Sequence, residues 1–162
     1  MNTIIDKRNS LKIAGRSFTI KDREDANPIR DEFLNKYKSL LEDLGSAYGL
    51  IEYNAIDKSY SYFLGFELSD QAIIEENGFR TYELGEDVYL EVPVEDANLK
   101  EAYRYTYQDF FPNKKYFHGL GPDIEFYQYD LENDQLGNFK LFILLKENLH
   151  AKTLKDDQLW KS

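Results

Sequence analysis

Between Leu11 and Ile20 apolar and polar side chains mix at the short period of a strand, and Gly15 within it marks a bulge or a close backbone approach. Asn27-Pro28 then reads as an N-cap and first helical position. Ile29, Phe33, Tyr37, Leu40, Leu41 and Leu44 recur every three or four residues, one apolar stripe along a helix that Gly45 ends. From Tyr48 the period falls to two, so residues 48–54 and 59–67 read as paired strands about a turn at 55–58. A polar join over 69–78 leads to a short strand at 79–84, and the order begins again. In 87–94, Val88, Leu90, Val92 and Val94 point inward, with Tyr89 and Glu91 outward. Asp96 caps a second helix striped by Leu99, Ala102, Tyr103, Thr106 and Phe110, which Pro112 stops. Residues 113–122 form a loop, 123–130 a strand, 132–137 a turn and 139–145 a buried strand.

The chain therefore reads as βαββ twice, offset by about 75 residues, an α+β fold of duplicated halves. Each half has antiparallel strands with one helix packed on them, and a groove is expected between the halves, where pockets tend to form. Ile51-Glu52-Tyr53 and Ile124-Glu125-Phe126 stand at matching points of the two runs. Residues 1–146 are expected to form one domain and 147–162 a polar tail, with Trp160 as its anchor.

The chemistry concentrates in Asp123–Asp130. Alternation puts Asp123, Glu125, Tyr127 and Tyr129 on one side of that strand and Ile124 and Phe126 on the other. A carboxylate among phenol rings suits a cationic or polarised aromatic small molecule, because ring faces attract positive charge by roughly 0.5 to 2 kcal/mol per contact. Glu125 is the central candidate, with Tyr127, Tyr89, Glu67 and Tyr53 lining the groove and Phe111 and Tyr116 roofing it. The bland alternative is an edge strand with a solvated outer face.

Composition narrows the classes. A net charge of −10 disfavours direct nucleic acid binding, which rests on Lys and Arg contacts to phosphate, and favours cationic partners. No cysteine is present, and His118 and His150 stand far apart, so neither thiolate chemistry nor a histidine metal site is expected, and no cofactor. The 13 tyrosines and 11 phenylalanines suit a pocket with a wet mouth. The start carries no apolar leader and no run approaches a membrane span, so a soluble, cytoplasmic protein is expected, with no membrane partner.

Ala14-Gly15, Tyr48-Gly49, Gly65 with Glu67, Tyr89, Phe110-Phe111-Pro112 and Glu125-x-Tyr127 followed by Asp130 occur in an order that resembles the GyrI-like small-molecule-binding family, the effector domain of multidrug-sensing transcription regulators. The resemblance covers residues 2–146. It implies two βαββ halves with a ligand groove and places the glutamate of the Glu-x-Tyr strand, Glu125, in that groove. The first expectation is a stand-alone binding domain for drug or toxin sensing or sequestration. The second is a hydrolase opening the cyclopropane of DNA-alkylating natural products, with Glu125 positioning water and Tyr127 or Tyr89 donating a hydrogen bond. The third is a gyrase-inhibitor-like module with a protein partner. Phe110-Phe111-Pro112 replaces a common Trp-Leu-Pro, and the length leaves no room for a helix-turn-helix domain.

Overall fold

Each predicted βαββ run folds with its helix against its own strands, and the first gains a leading strand to match the one expected at 79–84 before the second. The computed structural model describes residues 2–113 and 115–147. The first half comprises β1 (Ile4–Arg8), β2 (Leu11–Ile20), α1 (Ala26–Lys36), α2 (Lys38–Leu44), β3 (Ser46–Asn54) and β4 (Ser59–Phe66). A short helix, α3 (Gln71–Glu76), connects it to the second. That half comprises β5 (Arg80–Leu84), β6 (Asp87–Val94), α4 (Leu99–Arg104), β7 (Tyr116–His118), β8 (Asp123–Asp130) and β9 (Gln135–Glu147). The strands form one antiparallel sheet in the order β1-β6-β9-β8-β3-β4-β2-β5, with β7 on the end of β9. The halves meet where β3 pairs with β8, Gly49 opposite Glu125 and Ile51 opposite Asp123.

The leading strands are exchanged. β1 precedes β2 but pairs with β6, and β5 precedes β6 but pairs with β2. β1 and β2 stand six strand spacings apart in the sheet, about 29 Å if it were flat. Only Asn9 and Ser10 join them, and that link spans at most about 11 Å. Gly85 and Glu86 join β5 to β6 under the same constraint. The sheet must curl until its edges approach. Its inner face buries Ile13, Tyr48, Leu50, Phe63, Tyr89, Ile124, Phe142 and Leu144, a cluster to which no helix among the described residues contributes.

The outer face carries the helices and the larger core. Phe33, Leu34, Tyr37 and Leu41 from α1 and α2, and Ala102, Tyr103 and Phe110 from α4 and the turn after it, pack on Leu64, Phe66, Leu90, Val92, Leu141 and Ile143, with Thr106 buried beside them and donating to the Ala102 carbonyl. The predicted α4 stripe is thus the buried one. Gly45 ends α2 in the left-handed region at φ 79°, as expected of the residue after a helix. Gly15 faces Gly65 across β2 and β4, where a side chain would strike the Leu64 carbonyl, so it is a close approach and not a bulge.

Several expectations are corrected. Tyr89 points away from the helices as alternation requires, but curling buries it in the inner cluster and does not expose it. The first helix begins at Ala26, after a 3-10 turn at Arg23–Asp25, and is broken at Tyr37. That ring is wedged 4.9 Å from both Phe33 and Phe79, and its hydroxyl accepts from Arg16 Nε. The second helix starts at Leu99 with Asn98 as its cap, because Asp96 and Ala97 take left-handed conformations. It continues as a π-helical turn, Tyr105–Phe110. The polar join holds α3, capped by Asp70, and the 113–122 loop holds β7. Of the expected tail, residues 148–162, Trp160 included, lie outside the described residues.

His118 ties β7 to β8. Its Nε2 lies 2.7 Å from Asp123 Oδ1 and its Nδ1 2.5 Å from the Gly119 carbonyl, two acceptors that only the doubly protonated ring satisfies. Burial lowers its pKa, but the hydrogen bond and charge of Asp123, with the Gly119 carbonyl, outweigh that and leave it raised. A raised histidine contributes stability fully present below its unfolded value and lost as pH rises through the folded one. The urea midpoint is therefore expected to fall between about pH 6 and pH 9, and less so in His118→Gln. A parallel pair of curves would show the contact contributes nothing. At the seam, a Cβ on Gly49 would collide with the Tyr127 hydroxyl and stand 2.8 Å from Tyr62 Cε1. Gly49→Ala should cost about 1 to 3 kcal/mol by urea unfolding, the usual penalty for overpacking.

Candidate functional site

Two rungs join α4 to β8. Alternate residues of a strand and residues four apart on a helix both repeat at about 6 to 7 Å. The spacing lets Tyr103 and Tyr107 meet Glu125 and Asp123 one to one. Tyr103 Oη donates to Glu125 Oε2 at 2.5 Å, and Tyr107 Oη to Asp123 Oδ2 at 2.6 Å. Glu125 Oε1 accepts from the Tyr127 hydroxyl, which shares a 2.8 Å hydrogen bond with Tyr62 Oη. Gly49, directly opposite Glu125, leaves the room these hydroxyls occupy.

Glu125 is only 2% exposed, and among the described residues no lysine or arginine stands within ion-pair distance of it. Burial pushes its pKa up, while the Tyr103 and Tyr127 hydrogen bonds and the Arg30 charge pull it back. Burial and the neighbouring carboxylate push both phenols well up as well, so they remain donors. Each carboxylate oxygen retains a lone pair beyond the phenol it already accepts.

Glu125 lies at the wall of a cavity of about 490 Å³ between the start of α1 and α4, which Arg23, Arg30, Tyr60, Leu99, Lys100 and Tyr103 also line. Arg23 spreads its guanidinium over Tyr103 at 4.3 Å, Tyr60 at 4.9 Å and Tyr107 at 5.0 Å, and lies 3.6 Å from Asp123. Arg30 stands over Tyr127 and Phe139, at 5.2 and 5.3 Å. Burial opposes both charges, but Tyr103, Tyr107 and Asp123 around Arg23, and Tyr127, Tyr62 and Glu125 around Arg30, keep both pKa values raised. Lys100 and Glu24 pair at 2.9 Å, linking the start of α1 to α4 at the rim.

Of the seven residues singled out in the sequence, Glu125 alone lines this cavity. Tyr127 stands directly behind it, fully buried, with its hydroxyl on Glu125 Oε1. Tyr53, 52% exposed, borders a neighbouring depression of about 440 Å³ with Tyr60, Tyr107 and His118. Tyr89 and Glu67 lie on the inner face of the sheet, in a different hollow of about 320 Å³. Phe111 packs on Tyr107 and His118, and Tyr116 stacks on Phe110, so both support the end of α4 and do not roof the groove.

Tyr103, Arg23 and Arg30 were missed as site residues. Arg30 was detectable: 30, 33, 34, 37 and 41 form one buried stripe, and a charge inside such a stripe seeks a special partner. Tyr103 and Tyr107 carried a weaker signal, two phenols one turn apart facing the Asp-x-Glu of β8.

Comparison with known proteins agrees with this architecture. The chain is similar in structure to SAV2435, solved bound to tetraphenylphosphonium, at 16% identity and TM-score 0.66 over 93% of this chain and 97% of that one. It is also similar to the integron cassette protein VCH_CASS2 from the mobile metagenome of Vibrio cholerae, at 12% identity and TM-score 0.62, covering 89% and 95%. A third relative is the EcmrR C-terminal domain, at 10% identity and TM-score 0.57, covering 90% and 98%. No curated protein sequence matches. Among the described residues no helix is long and apolar enough to cross a membrane. The expected kinship with GyrI-like effector-binding domains is borne out. With the model for integron-associated effector binding protein matching residues 4–143, the chain belongs to that family.

Proposed function

We propose that the effector is a cationic aromatic small molecule held between α1 and α4 against Glu125, and that the protein serves to sense or sequester it. The observation that carries this reading is a buried carboxylate at a cavity wall, fixed by two phenol donors and free of any ion pair with a described residue. A buried charge of that kind is costly unless a partner arrives, and a ligand cation supplies one. The tetraphenylphosphonium bound to SAV2435 is a cation of the same general class and supports the reading by analogy.

The cationic dye rhodamine 123, followed by fluorescence anisotropy, provides the test. Binding to the parent protein is expected to weaken about tenfold or more in Glu125→Gln, the usual scale for losing one charged partner of a desolvated pair. An unchanged affinity in the variant removes Glu125 from the site. Protons and a permanent cation compete for the same carboxylate. Because the Glu125 pKa is raised, the affinity should begin to fall above the pH at which a free glutamate protonates, about 4.3, as the solution is acidified. Glu125→Gln should flatten that profile.

A further inference from the structure

Two arginines in the cavity wall are in an unusual state. Arg30 is 8% exposed, and among the described residues its Nε and Nη1 are buried without a hydrogen-bond partner, the Asp31 carboxylate lying 4.0 Å from Nε. Arg23 Nε is buried and unpartnered as well. Buried polar groups are nearly always hydrogen-bonded, and leaving a charged one unmade is expensive. Arg23 stands in the 3-10 turn before α1 and Arg30 on α1, and both border the cavity that Glu125 reaches.

The same arginines already occupy the ring faces that a cation would seek. Arg23 takes those of Tyr60, Tyr103 and Tyr107, and Arg30 those of Tyr127 and Phe139. A ligand bearing only positive charge would gain Glu125 but meet two like charges with donors to spare. A ligand that also carries a carboxylate, or an equivalent anionic acceptor, meets both signs at once. Guanidinium is the side chain best suited to carboxylate, through its planar fork of donors.

We infer that the ligand is zwitterionic: a planar aromatic with a cationic end toward Glu125 and a carboxylate taken by Arg30 and Arg23. This rests on the reading of Glu125 given above and adds the second charge. Asp123 already faces both Arg23 and His118, and the Asp31 carboxylate near Arg30 is exposed and 4.0 Å away, so the cavity wall has positive charge left for a ligand anion.

Rhodamine 110 and rhodamine 123 share one cationic ring system and differ in a free carboxylate against its methyl ester. Both are titrated at about pH 7.5, where the free acid of the first is ionised. The parent protein should bind rhodamine 110 about tenfold or more tightly than rhodamine 123, the scale of one charge-assisted hydrogen bond. Arg30→Gln, or Arg23→Gln if the first variant does not fold, should bring the two affinities close together. Rhodamine 123 binding as tightly as rhodamine 110, while still depending on Glu125, overturns the zwitterion and leaves the cation site standing. Absence of binding by either dye, or binding indifferent to Glu125→Gln, removes both. A preference for rhodamine 110 that persists undiminished in both arginine variants also overturns the assignment.

Discussion

Two residues join each leading strand to the next, and that shortness governs the rest of the molecule. Asn9-Ser10 and Gly85-Glu86 each bridge strands that the sheet order sets far apart. The sheet has to bend until its edges come near each other, and once bent it has a concave and a convex face with different duties. The concave face closes on Tyr48, Phe63, Tyr89 and Phe142 as a second core. The convex face carries α1, α2 and α4, and the space in which Glu125 sits lies between the start of α1 and α4.

That space is lined by aromatic rings and by charges of both signs. Asp123 is shared by Tyr107, His118 and Arg23, so its charge is spent within the fold. Glu125 is treated differently: phenols hold it, and these orient a carboxylate without cancelling its charge. Two acids on one face of one strand thus take opposite roles, one structural and one available. What separates them is that Arg23 and His118 both stand within ion-pair distance of Asp123.

Much of the fold was legible in the sequence. The repeated strand–helix–hairpin order, the stripe on α4 and the glycine after α2 depend on local periodicity and backbone preference, and these survive folding. The leading strand β1 was missed because Ile4 and Ile5 are the only apolar residues in a charged run that lies at a sheet edge. α3 was missed because a helix of six residues has too few turns to show a period. The matching letters around Glu52 and Glu125 misled: Ile51 faces Asp123 across the seam, so Glu52 points to the inner face and Glu125 to the helices. The groove acid was found because alternation fixes which side it takes. Its companions were not, since facing of α1 and α4 across the sheet is a tertiary fact that no local pattern records. Tyr89 and Glu67 were placed in the groove for the same reason, when only the curl decides which hollow each reaches.

The crossed leading strands also bear on how far each half is a unit in its own right. Excised alone, either half would keep its hairpin and helix but present two bare strands to water, β2 and β3 or β6 and β8, while holding a segment whose natural mate had been cut away. Neither piece is self-sufficient, although the chain looks like a tandem of two. Loosening one side strips the border of the other, so the halves are bound to melt as a single cooperative body and the cleft between them cannot act as a free hinge.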